Sequence, residues 1–324
     1  MNYEEYYPSN YSQQVPIINF SDENLKPGTS NWDSACQVIK GALEDHGCFY
    51  ALCYKVPMEL YNKVFGLMEE LFDLPLETKM QKTSDKPYHG YYGSYSTVPL
   101  YESLGISDDP LNMESVQDFT KLMWPQEGYD HFSETLNEYA KLVVELDHVT
   151  KRMVCDGYGL EQRHYHDLIE STSYMLRSFK YALPKKDESN VGLMAHKDTS
   201  FFTILHQNNV TGLQVRLKNG EWFDIDPSPF MFLILAGESF QVWSNDRIKA
   251  CEHRVIINNK KKQRFSMGLF SVGTTIQPHE ELVDDEEHPR HYKAFDFYDY
   301  LKFIGTKEAL ESNCRIKTFC GIHD

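Results

Sequence analysis

Between about residues 172 and 271 the chain repeats one pattern: a short apolar or alternating segment, a polar turn, then another short segment. The segments fall at 173–181, 191–197, 201–206, 212–217, 221–225, 231–236, 239–243, 253–257 and 263–271. Most are too short for an ordinary helix, and two-residue alternation puts one face of each into a core. Lys218-Asn219-Gly220 between two of them is a hairpin signal, because asparagine and glycine accept the backbone angles of a tight turn. Many short strands at close spacing pack as a sandwich or barrel, here of jelly-roll type.

The preceding half reads differently. Val15-Pro-Ile-Ile-Asn-Phe20 is a short apolar strand, and Cys48–Cys53 a buried one. Between them Ala35, Val38, Ile39, Ala42 and Leu43 recur at helical spacing over about 31–46, with Gly47 as the stop. Pro57 opens a second helix carrying Leu60, Val64, Phe65, Met68 and Leu71. Residues 78–128, with Gly90, Gly93, Pro99 and Pro110, read as a long irregular excursion. A long helix follows over about 131–156, striped by Phe132, Leu136, Tyr139, Val143, Leu146 and Met153. The expected fold is mainly β with flanking helices: a double-stranded β-helix (jelly roll) core with a helical N-terminal part. The expected division is a flexible N-terminus over 1–14, a helical region over 15–170, the jelly-roll core over 171–280, and a C-terminal helical segment over 281–324 that packs on the core.

Composition bounds the partners. A net charge of −16 argues against nucleic acid and anionic membrane, which both need a basic face. Part of that charge is one run, Glu280, Glu281, Asp284, Asp285, Glu286 and Glu287, read as a solvated loop. Seven cysteines with no CxxC pair look like reduced thiols. The opening Met1-Asn-Tyr-Glu-Glu is not a signal peptide, and no apolar run is long enough to span a bilayer. The expectation is a cytoplasmic monomer acting on a small-molecule substrate.

His196-Lys197-Asp198 carries the chemistry. Two apart on a strand, His196 and Asp198 leave the same face, with Lys197 turned away. His253 heads a later strand that a jelly roll can return beside the first. Two imidazoles and one carboxylate hold a redox-active iron and leave positions open for substrate and dioxygen. In a chain with 13 histidines, roughly one His-x-Asp arises by chance, so the tripeptide alone is weak, and a lone His253 is by default structural. The competing cluster His164-Tyr165-His166-Asp167 begins a helix, where residues two apart diverge, and reads as surface. His206 reads as a satisfied core histidine.

Arg264 and Ser266 also stand two apart and face the barrel interior. A buried guanidinium needs an acid, either a protein carboxylate or a ligand. Arg264 alone allows a structural salt bridge. An Arg-x-Ser soon after the third candidate ligand points instead to an anchor for a keto acid.

With these residues the chain resembles the plant-type Fe(II)- and 2-oxoglutarate-dependent dioxygenases. Its His-x-Asp, distal His and Arg-x-Ser match His196, Asp198, His253, Arg264 and Ser266. The flanking Gly192-Leu-Met-Ala-His-Lys-Asp and Ser244-Asn-Asp-Arg-Ile-Lys-Ala-Cys-Glu-His-Arg-Val agree. The stretches Thr203-Ile-Leu-His-Gln and Thr211-Gly-Leu-Gln-Val look like the branch that modifies glucosinolate side chains and hydroxylates steroidal alkaloids. The resemblance implies Fe(II), 2-oxoglutarate and O2, with ascorbate as a reductant in vitro. It places a 2-oxoglutarate-binding tyrosine at Tyr181, and substrate-lining positions at Phe119, Lys121, Arg177, Phe270 and Val272. Where the family often has asparagine, this chain has Phe179. The implied reaction oxidises a small plant specialised metabolite by hydroxylation, desaturation or demethylation, releasing succinate and CO2. The alternatives are a same-fold iron oxidase that does not use 2-oxoglutarate and a non-catalytic small-molecule sensor.

Overall fold

The computed structural model describes residues 14–322 apart from 94, 108, 127, 187, 260 and 285. The flexible N-terminus expected over 1–14 lies, except for Gln14, outside the described residues, as does Asp285 of the acidic run.

The first described element is a short strand, β1 (Ile17–Asn19), followed by α1 (Ser30–Asp45) and β2 (Cys48–Leu52). Thr29 caps α1 by accepting from the Trp32 amide. Gly47 ends it at φ +72°, and a Cβ there would run into the Lys249 carbonyl oxygen, so only glycine fits. Helix α2 (Met58–Asp73) follows Pro57 and buries its apolar stripe as expected.

Residues 78–128 correct the sequence reading. This span holds the end of α3 (Leu76–Lys79), then β3 (Tyr91–Gly93), β4 (Tyr101–Ser107) and α4 (Met113–Met123). Strand β4 hides from a search for alternation because Glu102 sits in it as the partner of Lys79, at 2.5 Å. Helix α4 is short, but Asn112 caps it and Val116, Phe119, Thr120 and Met123 face inward.

Then come α5 (Asp130–Gly157), α6 (Gln162–Glu170), β5 (Thr172–Tyr181), β6 (Val191–His196), β7 (Phe202–Gln207), β8 (Leu213–Arg216), β9 (Trp222–Asp224) and β10 (Met231–Ala236). Gly220, at φ +87°, turns the β8–β9 hairpin. The strand expected at 239–243 is instead a helix, α7 (Glu238–Trp243). All six of its residues are buried, so no periodic polar face marks it as helical. The chain continues with β11 (His253–Ile256), β12 (Arg264–Gly273), β13 (Thr275–Ile276), β14 (Phe295–Asp296), α8 (Phe297–Phe303), α9 (Lys307–Glu311) and α10 (Arg315–Cys320).

An eight-stranded sheet runs in the order β1-β2-β10-β7-β12-β5-β4-β3 and faces a four-stranded sheet ordered β6-β11-β8-β9. All pairings are antiparallel except β1 with β2. The outer face of the large sheet buries Phe202, Ile204 and Leu269 with Ile39, Val64 and Tyr139 of the helices. Its inner face packs Tyr181, Leu205 and Leu233 against Val215 and Val255 of the small sheet. This is the jelly roll expected from the strand pattern. No helix among the described residues is long and apolar enough to cross a membrane.

Candidate active site

His196 ends β6 and His253 begins β11, and the two are directly paired across the small sheet, their rings 4.2 Å apart. Asp198 lies just beyond β6 rather than on it, so strand alternation does not set its direction. A turn does: the Glu238 amide donates to the Asp198 carbonyl at 2.8 Å. The Asp198 carboxylate then reaches both imidazoles, Oδ1 at 3.6 Å from His196 Nε2 and Oδ2 at 3.7 Å from His253 Nε2. Its Oδ2 also accepts from the Thr203 hydroxyl at 2.7 Å.

The tautomers follow from the other ring nitrogens. His196 Nδ1 lies 2.9 Å from the Met194 carbonyl and His253 Nδ1 lies 3.1 Å from the Cys251 carbonyl. A carbonyl only accepts, so each Nδ1 carries the proton and each neutral Nε2 presents a lone pair. Burial raises the Asp198 pKa, but His253 and His196 outweigh it and hold the carboxyl well below its usual range. Burial and then His196 pull His253 down to about 4. Burial works against charging His196, yet Asp198 overcomes it and the net shift is upward. Three electron-pair donors converge, and they need a cation between them. One divalent ion fits, and this donor set suits non-haem Fe(II) with positions left for other ligands.

Arg264 opens β12 opposite Tyr181 of β5. It is 1% exposed. Nη2 donates to Gln207 Oε1 at 2.6 Å, Nη1 to Ser266 Oγ at 3.3 Å, and the guanidinium lies 4.9 Å from the Tyr181 ring centre. Nε has no partner. Burial lowers the arginine's pKa and raises that of Tyr181, while each opposes the shift of the other. No carboxylate among the described residues pairs with Arg264, so the salt-bridge reading finds no acid. A ligand carboxylate would supply the missing charge.

A cavity of about 320 Å³ joins these groups. Arg177, Phe270 and Val272 line it, as does Phe179, which leaves an aromatic face where an asparagine would offer an amide. Lys197 is also among the residues that line it. Phe119 and Lys121 do not line it. Phe119 is packed between helices, stacked on Phe132, and Lys121 is an exposed end-of-helix lysine beside Asp118. Helix α4 presents its apolar face to α5. His164, His166 and Asp167 lie on α6, with His164 bound to Glu281 at 2.6 Å outside the cavity. His206 is buried between the Tyr139 hydroxyl and the Pro229 carbonyl, a satisfied core residue.

Several supporting residues escape sequence reasoning. Thr203, Leu205 and Gln207 alternate onto the inner face of β7, so Thr203 reaches Asp198 and Gln207 reaches Arg264. Two-residue spacing could have shown this. Arg315 gives no such signal. It pairs with Glu238 at 2.9 Å and donates to the Lys197 carbonyl at 2.5 Å, tying α10 to the turn between the candidate ligands.

Comparison with known proteins agrees with this geometry. The 2OG-Fe(II) oxygenase superfamily matches residues 172–272, and the N-terminal region described as "non-haem dioxygenase in morphine synthesis" matches 15–127. A curated Arabidopsis thaliana protein, "Probable 2-oxoglutarate-dependent dioxygenase AOP1.2", is 42% identical over 311 residues, 94% of either chain. Among solved structures, the dioxygenase for auxin oxidation in rice superposes with a TM-score of 0.79 at 25% identity, covering 95% of this chain and 100% of that one. JOX2, solved with 2OG, Fe and JA, gives 0.73 at 27% identity, covering 90% and 85%.

Proposed function

The chain belongs to the 2OG-Fe(II) oxygenase superfamily, and from that premise we propose that His196, Asp198 and His253 hold its iron while Arg264, Ser266 and Tyr181 hold its 2-oxoglutarate. It is a 2-oxoglutarate-dependent dioxygenase. We read residues 15–170 as the helical region, 171–280 as the oxidising core and 281–324 as a C-terminal segment packed on it. The proposed substrate is a small plant specialised metabolite, taken by a cytoplasmic monomer with no nucleic-acid partner.

Bound iron, dioxygen and 2-oxoglutarate supply the oxidation: one oxygen atom leaves in succinate with loss of CO2, and the other oxidises a substrate C–H bond. The protein's side chains do the rest. The Met194 and Cys251 carbonyls fix both imidazoles with lone pairs toward Asp198. Thr203 orients the carboxylate. Arg264 and Ser266 offer N–H and O–H donors to the distal carboxylate, and Tyr181 closes one side of it. Leu205, Phe179, Phe270 and Val272 keep water from the reacting centre.

One observation carries the reading: Arg264 is buried with no carboxylate partner among the described residues and opens on the same cavity as the two histidines and Asp198. An oxidase without a keto acid would have no use for that charge. The test measures succinate against oxidised product for the wild type and for Asp198→Ala with Fe(II), 2-oxoglutarate and a plant metabolite extract. Equal succinate and product from the wild type, and neither from a folded Asp198→Ala, are expected. Normal 2-oxoglutarate-dependent product from the variant would overturn the assignment, and product without succinate would favour the oxidase.

A further inference from the structure

The cavity holds more positive charge than one keto acid needs. The chain carries −16 overall, yet among the described residues Arg177, Lys197, Arg264 and Arg315 line the cavity, with Asp198 as the one carboxylate. Arg315 is neutralised by Glu238 at 2.9 Å. Arg264 is matched by the cosubstrate in the reading above. Of the three arginines, Arg177 is left without a match.

Arg177 sits mid-strand on β5 and is 3% exposed. Nη2 donates to Ser103 Oγ at 2.5 Å, and Nη1 has no hydrogen-bond partner among the described residues. The guanidinium stacks 5.3 Å from the Tyr92 ring centre and 5.6 Å from that of Phe179. Stacking and one hydroxyl hold the group in place, but they bring no negative charge, and a buried cation without one is costly. Its two lateral neighbours across the sheet, Gly105 on β4 and Gly268 on β12, are both glycines. Neither lateral neighbour has a side chain to crowd it.

One cosubstrate cannot satisfy both arginines. Arg177 and Tyr181 lie on the same strand face, four residues apart, and Tyr181 is paired with Arg264. At about 3.3 Å per residue the separation along β5 is about 13 Å. In the reading above one end of 2-oxoglutarate is taken by Arg264 and the other by the metal, so Arg177 is left to a different ligand. The cavity lining also includes the apolar Met175, Val272, Phe297 and Leu301.

We infer that Arg177 is the anchor for the oxidised substrate, and that this substrate is an organic anion: a carboxylate or sulfate-type head on an apolar body, bound with its head at Arg177 and its body toward the candidate iron ligands. The inference rests on the oxygenase reading and deepens it by naming the substrate class. The head group would complete a charge-assisted pair with Nη1, and the aromatic rings on either side would exclude the water that otherwise weakens it.

The test is equilibrium binding to the full chain loaded with Ni(II) and 2-oxoglutarate, a state that does not turn over. The probes are 4-phenylbutyrate, indole-3-butyrate and decanoate, each against its primary amide, with 4-phenylbutane-1-sulfonate as the sulfate-type arm. At least one anion should bind tenfold or more tightly than its neutral counterpart, because the amide cannot form the charge-assisted pair. The order of carboxylate and sulfonate identifies the head group, and preference for either supports the assignment. Arg177→Met should erase the preference without changing 2-oxoglutarate affinity, and Arg177→Lys should keep part of it. Should Arg177→Met fail to fold, the wild-type pairs and Arg177→Lys still decide. If no anion outbinds its amide, or if Arg177→Met keeps the preference, the anchor assignment falls. Failure of 2-oxoglutarate itself to bind, or its indifference to Arg264→Met, would instead sink the parent reading.

Discussion

Replacing Arg264 with methionine should separate ligand binding from stability in a way that ordinary core substitutions do not. The change removes the hydrogen bonds to Gln207 Oε1 at 2.6 Å and Ser266 Oγ at 3.3 Å, about 1 kcal/mol each net. It also removes the stacking on Tyr181, about 0.5–1 kcal/mol. Against these losses stands the relief of a buried guanidinium with no counter-charge and an unpartnered Nε, which is of the order of several kcal/mol. Methionine fills much of the same volume with apolar atoms. The ligand-free variant should therefore melt no lower than the wild type, and up to about 5 °C higher, since 1 kcal/mol moves a chain of this size by about 2 °C. Binding behaves oppositely. Two charge-assisted bonds at about 1.5–3 kcal/mol each are lost, so the Kd for 2-oxoglutarate should rise by about 100-fold or more. Thermal melts with and without 2-oxoglutarate, in the presence of Ni(II), read both effects. At 100 times the wild-type Kd the ligand stabilises the wild type by about 2.7 kcal/mol and should leave the variant nearly unmoved. A ligand-free variant that melts far below the wild type, or one that 2-oxoglutarate stabilises as before, would refute the argument.

Three further outcomes are expected. His206 is buried neutral, its pKa pulled by burial from 6.5 down to about 3, so the unfolded chain binds its proton first as pH falls. Its contribution is intact above about pH 6.5 and is lost toward pH 3, about 5 kcal/mol in all, so urea unfolding at pH 4.5 against pH 7 should show about 2.5 kcal/mol less acid loss in a folded His206→Gln than in the wild type. Arg315→Met strands the Glu238 carboxylate, which is 4% exposed, and should cost about 3 kcal/mol in urea unfolding while weakening metal retention at the Lys197–Asp198 turn. Gly47→Ala forces a side chain into φ +72° against the Lys249 carbonyl and should cost about 2 kcal/mol or more, read from the same curves, and a neutral result would show that the α1–β2 corner can relax.

Most strands of the jelly roll were legible as short apolar or alternating segments between polar turns. The three candidate metal ligands were legible as residue types at a workable spacing. What set the direction of Asp198 was not, since the Glu238 amide and the Arg315 guanidinium act from 40 and 117 residues away and leave no periodic trace. Helix α7 was misread because full burial removes the polar face that distinguishes 3.6 from 2. On α1 the inward face includes Trp32 and Cys36 while Val38 is 46% exposed, so an apolar residue at helical spacing still pointed outward. Arg177 gained its meaning only in three dimensions, where a charge at mid-strand turned out to have glycines on both sides and no acid.

The position of β12 has a consequence for how the molecule is made. It lies between β7 and β5, which do not touch each other without it, and it carries both Arg264 and Ser266. A chain emerging from the ribosome therefore holds two unpaired strand edges until Gly273 has cleared the exit, and the half of the sheet bearing β3, β4 and β5 joins the rest only then. Docking one late strand both seals those sticky edges and brings in the proposed anchor for the keto acid, so on that proposal a nascent chain cannot bind its cosubstrate before its largest sheet is whole.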